Sequence, residues 1–102
     1  MINYNNEKCY IYEPGTTNNE KYFDAGTGHY HDNKVVKFNQ MPYCIITFDA
    51  NLIWNLESIV NEPCKYYIYT KNGHADHYYL CYNENKYYIH TSDNDKRVIL
   101  DK

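Results

Sequence analysis

Four short segments separated by turn residues make up the last third of the chain, and they constrain its fold more than any other feature. They read CKYYIYT, DHYYLCY, KYYIHTS and KRVILD, with the turn sequences KNG, NEN and DND between them. Tyr, Ile and Val favour strands, whereas Asn, Asp and Gly accept the positive φ angles of tight hairpins. This pattern predicts an antiparallel C-terminal β-meander.

The register of the second and third segments follows from a turn at residues 84–85. Leu80 then faces Ile89 and Tyr82 faces Tyr87, because side chains along a strand alternate between two faces. These residues form the predicted core face of the meander. A register shift of one residue would exchange the two faces. The opposite face collects the polar and aromatic side chains His77, Tyr79, Cys81, Tyr88, His90, Tyr67 and Tyr69.

The segment that follows TFD has the apolar spacing of an amphipathic helix over about residues 50–61. Asp49 stands where an N-cap accepts the first free backbone N–H groups, and Pro63 prevents continuation past the last turn. At about 100° per residue, Trp54 and Glu57 lie on the side away from the apolar stripe, where Trp54 either faces solvent or packs beneath the N-terminal segment or the loop over residues 14–34. The stripe consists of Leu52, Ile53, Leu56, Ile59 and Val60.

The first half of the chain supplies further strand candidates, which loops with turn residues separate. They read CYIYE, KYFDA, VVKF and YCIITF. Together with the helix they predict an α+β fold: a mostly antiparallel sheet with a C-terminal β-meander and one helix packed on one face. No internal repeat or low-complexity linker interrupts the sequence, so we expect a single domain over residues 1–102.

Charge and composition narrow the classes of partner and location. The net charge is −3 and Arg97 is the one arginine, so the chain lacks the basic stripe that nucleic-acid binding needs. It shows neither a signal-peptide pattern nor an apolar run long enough to span a bilayer. Cys9, Cys44, Cys64 and Cys81 are scattered, which indicates free thiols in a reducing compartment. We therefore expect a cytoplasmic monomer or small homo-oligomer without a cofactor.

One hypothesis for function is a thiol enzyme that uses Cys81 with His77 or His90. The segment HYYLCYNENKYYIH resembles the histidine strands of papain-like and ubiquitin-specific proteases, and this resemblance implies thiol–imidazole chemistry. A nucleophile of the papain-like kind sits at a helix start, where the dipole lowers the thiol pKa. The predicted helix has no cysteine in its first turn, so an inert, packed Cys81 is the favoured interpretation.

A second hypothesis is a metal site. His29 and His31 form an HxH pair, and His74 and His77 form an HxxH pair. Imidazole is a common zinc ligand, and alternate residues of a strand point to one side. Both pairs border predicted loops or turns, so their order in space stays open. A His-rich metal-binding protein or metal-dependent enzyme is therefore the alternative function.

The favoured hypothesis is a binding module that contacts another protein and has no catalytic activity. Protein interfaces are enriched in Tyr and Trp, because each supplies a rigid contact that is partly apolar and partly polar. The predicted contact residues form two alternative surfaces. The favoured one, with more area, consists of Tyr67, Tyr69, Tyr79 and Tyr88 of the meander, and the other consists of Trp54 and Glu57 of the helix.

The small acidic chain and its residue usage suit an inhibitor of a host or partner protein. Asn, Tyr, Lys and Ile are abundant and have AT-rich codons, which indicates the genome of a low-GC bacterium, its phage, a large DNA virus or certain protists. Anti-defence inhibitors, such as anti-CRISPR proteins, and immunity proteins have this build. By that analogy we expect stoichiometric antagonism, in the host cytoplasm where a phage or virus encodes the chain.

Overall fold

The chain folds into two antiparallel sheets. The computed structural model describes residues 3–13, 21–26, 29–40, 50–71, 73 and 75–102. The strands are β1 Lys8–Cys9, β2 Tyr12–Glu13, β3 Lys21–Asp24, β4 Lys34–Val35, β5 Lys37–Gln40, β6 Trp54–Ser58, β7 Lys65–Thr70, β8 Tyr78–Asn83, β9 Lys86–His90 and β10 Ile99–Asp101. The larger sheet has the order β1-β6-β7-β8-β9-β4, with β10 also paired to β7. The smaller sheet has the order β2-β3-β5.

The inner face of the larger sheet is built from aliphatic side chains at alternate positions. Leu56 of β6 lies opposite Ile68 of β7, and Leu80 of β8 lies opposite Ile89 of β9. All four side chains belong to one buried cluster. Because side chains on neighbouring strands meet across the sheet, each pair adds packing as well as burial.

The smaller sheet covers this inner face with aromatic rings. Phe23 of β3 stacks on Phe38 of β5 with ring centroids 4.4 Å apart, and its edge meets Tyr87 of the larger sheet at 5.1 Å. The indole Nε1 of Trp54 donates a hydrogen bond to the Phe23 carbonyl oxygen at 3.2 Å. The core therefore lies between the two sheets.

A buried carboxylate joins the smaller sheet to the segment that leads into β6. The Oδ1 atom of Asp24 accepts hydrogen bonds from Gly26 N at 2.7 Å and from Asn51 Nδ2 at 2.6 Å. Its Oδ2 atom accepts a bond from Asn39 Nδ2 at 3.1 Å. A buried charge is tolerated when such donors replace water. These bonds fix the start of β6 against β3.

The predicted helix over residues 50–61 is wrong, and so is the α+β class. The described part of the chain contains no helix of seven or more residues; it is nearly all β. A short 3-10 turn, Ala50–Leu52, leads into β6, and Asp49 lies outside the described residues. No helix in the described ranges is long and apolar enough to cross a membrane.

The burial of Trp54 explains why residues 54–58 form a strand and not part of a helix. A separation of four residues, as between Leu52 and Leu56, fits both a helical stripe and a strand face. Alternation also places Trp54 on the face of those two leucines, and all three side chains are 0% exposed. A helix would expose the largest apolar side chain of the segment, whereas a strand buries it. The interpretation of Trp54 as a solvent-facing contact residue is therefore wrong.

The meander is confirmed for three strands and wrong for the fourth. The β8–β9 turn lies at Glu84 and Asn85, whose φ angles of 51° and 62° suit a tight hairpin, and the predicted register is confirmed. The last strand, β10, does not extend the sheet beyond β9. Asp93 has a φ of 53° and precedes the 3-10 turn Asn94–Lys96, which redirects the chain across β8. As a result β10 pairs with β7.

The N-terminal strand candidates have mixed outcomes. CYIYE is divided into β1 and β2, which belong to different sheets. KYFDA is confirmed as β3, and VVKF contributes to β4 and β5, between which the chain passes from one sheet to the other at Val36. YCIITF falls within residues 41–49, outside the described residues.

Candidate functional site

The face of the larger sheet that points away from the smaller sheet is here named the outer face. Alternation along β7, β8 and β9 places the predicted polar and aromatic side chains on it, opposite the aliphatic cluster. This division of side chains between the two faces is confirmed. The outer face includes Lys8, Val35, Asn55, Glu57, Lys65, Tyr67, Tyr69, His77, Tyr79, Cys81, Asn83, Lys86, Tyr88, His90, Arg97, Ile99 and Asp101.

Arg97 lies over two tyrosine rings at the centre of the outer face. Its guanidinium carbon is 3.7 Å from the Tyr79 ring centroid and 4.7 Å from the Tyr67 ring centroid. A cation so close to aromatic faces is attracted by their π electrons. The position of Arg97 follows from the separation of β7 and β8: residue 97 enters between them and forms a backbone bridge with Cys81.

The guanidinium of Arg97 has unused hydrogen-bond donors. Its Nε atom is buried, and in the described part of the chain it has no hydrogen-bond acceptor. None of the ion pairs among the described residues involves Arg97. The aromatic rings thus hold the cation in place without neutralising it.

Glu57 organises the polar groups beside Arg97. Its Oε1 atom accepts a hydrogen bond from the Tyr79 hydroxyl at 2.7 Å and lies 3.5 Å from His77 Nδ1. The His77 ring stacks on Tyr69 with centroids 3.9 Å apart and an interplanar angle of 8°. Burial, and then the hydrogen bond to Glu57, raise the pKa of Tyr79 far above its ordinary value of 10.0. The hydroxyl therefore stays a donor.

Tyr88 and Cys81 form the opposite part of the outer face. The Tyr88 hydroxyl donates to Asp93 Oδ2 at 2.7 Å. Cys81 is fully buried, and this burial raises the pKa of its thiol to about 11. Its Sγ atom lies 3.5 Å from the Tyr79 carbonyl oxygen. Because a thiol with this pKa is almost entirely protonated near neutral pH, it is a poor nucleophile.

His90 is held in a local polar cluster. Its Nδ1 atom accepts a hydrogen bond from Ser92 N at 2.9 Å, and the Ser92 hydroxyl lies 3.2 Å from the same nitrogen. Asp32 Oδ1 is 3.7 Å from that nitrogen too. A Ser-His-Asp relay uses the two ring nitrogens for different partners. This arrangement directs both partners to one nitrogen, so it is not such a relay.

The candidate metal ligands are not brought together in the described residues. His29 and His31 are both exposed, and His31 Nδ1 lies 3.0 Å from the Asp32 carbonyl oxygen. His77 is on the outer face, while His74 lies outside the described residues. Within the described ranges, no three His, Cys, Asp or Glu residues are close enough to hold a metal ion.

The tyrosines of the outer face are not uniformly exposed to solvent. Tyr69 and Tyr79 are buried by their neighbours, whereas Tyr67 and Tyr88 are half-buried. Sequence reasoning missed the apolar residues beside them, which are Ile99 opposite Tyr67 and Val35 opposite Tyr88, 52% and 49% exposed. It also missed Arg97 as a member of this face. Alternation in KRVILD links Arg97 with Ile99, but only the pairing of β10 with β7 assigns them to a face.

Comparisons with known protein families, with curated proteins and with solved structures found no match to this chain. The geometry of the outer face therefore supplies the evidence from which a function can be proposed.

Proposed function

We propose that this chain is a small protein-binding module that contacts another protein through the outer face. The observation that supports this proposal most strongly is the placement of Arg97 over Tyr67 and Tyr79. The residues that contribute most of the binding energy in protein interfaces are often Tyr or Arg. Together they offer both apolar area and directed hydrogen bonds.

The side chains of the outer face are ordered before any partner arrives. Tyr79 is bonded to Glu57, Tyr88 is bonded to Asp93, and His77 is stacked on a ring. Binding restricts side-chain motion, and that restriction opposes association. A surface whose rings are already held in place loses less entropy, which favours tight binding by a small area.

Two exposed apolar side chains add area on either side of the central tyrosines. Ile99 lies on β10 next to Tyr67, and Val35 lies on β4 next to Tyr88. Removal of apolar surface from water contributes roughly 25 cal/mol per Å². Contact with both residues would therefore strengthen a complex centred on Arg97.

The mode of action that fits this build is stoichiometric antagonism of a host or partner protein, of the anti-defence or immunity type. The AT-rich residue usage supports an origin in a low-GC bacterium, its phage, a large DNA virus or certain protists. Cys9 and Cys81 are free thiols, as is usual in the reducing cytoplasm. We propose that the chain acts there as a monomer or small homo-oligomer, in the host cytoplasm where a phage or virus encodes it.

Affinity capture with matched variants tests this proposal. Immobilised wild-type chain and an Ile99→Asn, Val35→Asn double variant are exposed to extracts of the encoding organism and, for a phage or virus, of its host. Tyr12→Ala serves as the control, because Tyr12 is 54% exposed and lies on the smaller sheet. We expect a protein that wild type and control capture in equal amounts and that the double variant loses. A partner retained by the double variant and lost by the control would overturn the proposal.

A further inference from the structure

We infer that the outer face recognises one acidic side chain, an Asp or Glu carboxylate of the protein partner, which binds to the guanidinium of Arg97. This inference rests on the proposed function and adds to it the chemistry of the central contact. Tyr67 and Tyr79 would act as the platform that holds the guanidinium, and the carboxylate would bind at its edge.

The unused donors of Arg97 support this assignment. A guanidinium carries five N–H donors in one plane. The guanidinium carbon of Arg97 lies 3.7 Å from the Tyr79 ring centroid and 4.7 Å from the Tyr67 ring centroid, and a guanidinium held by π contacts does not use up its N–H donors. A buried donor without an acceptor is costly. Nε is in that state in the described chain and is also covered by its neighbours, so the acceptor of a partner would bind at the two Nη atoms.

A carboxylate matches these donors better than a neutral acceptor. Two carboxylate oxygens can bind two parallel N–H groups of arginine, and such charge-assisted bonds are shorter and stronger than neutral ones. Glu57, a carboxylate of this face, is occupied by Tyr79 and His77. It holds the platform and leaves Arg97 to an external anion.

The same charges argue against nucleic acid as the partner. Phosphate backbones bind surfaces that carry several cations along a stripe. The outer face has Arg97 at its centre, with Glu57 bonded to Tyr79 and Asp93 bonded to Tyr88. Its lysines lie on separate strands, Lys8 on β1, Lys65 on β7 and Lys86 on β9, and Lys65 is paired with Asp101. The chain has a net charge of −3. The phosphates of a nucleic acid would be repelled by the carboxylates of Glu57 and Asp93. A single carboxylate that contacts the guanidinium directly would not have to pass these negative charges.

Selection from a display library of random linear peptides provides the test. The immobilised wild-type chain selects peptides, and each selected peptide is then made in soluble form. Its affinity is measured for wild type and for the Ile99→Asn variant, which reports whether it binds the outer face. We expect peptides that bind there to share an Asp or Glu at one position, among apolar residues.

Variants of Arg97 then identify what the acid contacts. With Arg97→Gln the affinity should fall roughly tenfold or more, as for the loss of a charge-assisted hydrogen bond. Arg97→Lys should restore only part of it, because an ammonium lacks the planar fork of donors. Lys96→Gln removes a neighbouring positive charge and should leave affinity nearly unchanged. Fluorescence of Trp54, the one tryptophan, checks that each variant is folded.

The acid in the peptide is replaced by its amide to complete a double-mutant cycle. We expect this change to weaken binding to wild type and to have little further effect on Arg97→Gln, since both remove one contact. Outer-face peptides without an acid, or with affinity unchanged by Arg97→Gln, would overturn the inference and leave the proposed function standing. Peptides unaffected by Ile99→Asn, or an empty selection, would count against both. Arg97-dependent binding of a single-stranded DNA oligonucleotide without any such peptide would replace the inference.

Discussion

The two faces of the larger sheet are made by the same strands but stabilised in different ways. On the inner face, Trp54, Leu56 and Ile89 are fully buried under the smaller sheet. On the outer face, Tyr79 is also buried, yet its hydroxyl is bonded to Glu57 and its ring lies under Arg97. Burial on the inner face packs apolar side chains into the core. Burial on the outer face instead holds polar and aromatic side chains in fixed positions.

This difference separates stability from recognition. Truncation of an inner side chain removes apolar burial and leaves a cavity, so the free energy of unfolding falls by several kilocalories per mole. Removal of a polar group from the outer face affects one hydrogen bond that water can partly replace. We therefore expect inner-face variants to change folding and outer-face variants to change binding with little effect on folding.

The largest expected effect comes from Trp54→Ala. Trp54 is 0% exposed and its indole N–H is bonded to Phe23, so the change both empties the core and breaks a link between the sheets. The free energy of unfolding should fall by about 3–5 kcal/mol. Urea unfolding followed by circular dichroism measures this loss. Tyr12→Ala, at an exposed position, should stay within about 0.5 kcal/mol of wild type.

Trp54→Ala also tests the assignment of residues 50–61 as a strand. An amphipathic helix over this range would leave Trp54 on the solvent side, and the substitution would then be nearly neutral. A loss below about 0.5 kcal/mol would therefore contradict the strand and restore the helix.

Leu56→Ala has the next largest expected effect. Leu56 is 0% exposed and lies opposite Ile68 in the middle of the inner face. The expected loss of stability is about 2–5 kcal/mol, the usual range for a buried leucine. This value does not separate strand from helix, because both bury Leu56. It tests the inner face itself, and an unchanged urea midpoint would contradict the placement of the core between the two sheets.

The sequence was sufficient to predict the β8–β9 hairpin because local chemistry and pattern agree there. Asn85 accepts a positive φ, and a turn at residues 84–85 places Leu80 opposite Ile89 and Tyr82 opposite Tyr87. The helix prediction for residues 50–61 failed because two leucines four residues apart fit both the helical period of about 3.6 and the strand period of 2. The strand depends on partners distant in the chain, β1 and β7, which no local rule reveals.

The candidate site was predictable in part for the same reason. Alternation within β7, β8 and β9 was enough to group Tyr67, Tyr79 and Tyr88 on one face. Arg97 joins them because β10 returns to β7 through a change of direction after Asp93. The pairing of β10 with β7 depends on contacts distant in the chain. The local sequence of β10 would fit a meander in which β10 pairs with β9 equally well. The most informative residue of the outer face therefore emerged only from the fold.

A smaller effect is expected from Tyr79→Phe, which keeps the ring under Arg97 and removes the hydroxyl bond to Glu57. The loss of one such bond should cost about 1 kcal/mol. Peptides or partners that bind the outer face should retain most of their affinity, since the aromatic platform remains. A loss of stability as large as that of Trp54→Ala would show that the outer face belongs to the core.

The smallest effect is visible only in alkaline solution. Burial, and then the hydrogen bond to Asp93, raise the pKa of Tyr88 above its ordinary value of 10.0. The unfolded chain therefore loses this proton first, so the folded state binds more protons and its stability falls as the pH rises above about 10. Cys81 acts in the same direction from its ordinary pKa of 9.0 to about 11. Tyr88→Phe removes the contribution of Tyr88 and leaves those of Tyr69, Tyr79 and Cys81, so its urea midpoint should fall less steeply than that of wild type between about pH 10 and pH 11. Equal slopes would contradict the raised pKa of Tyr88, and with it the burial and the Asp93 hydrogen bond that raise it.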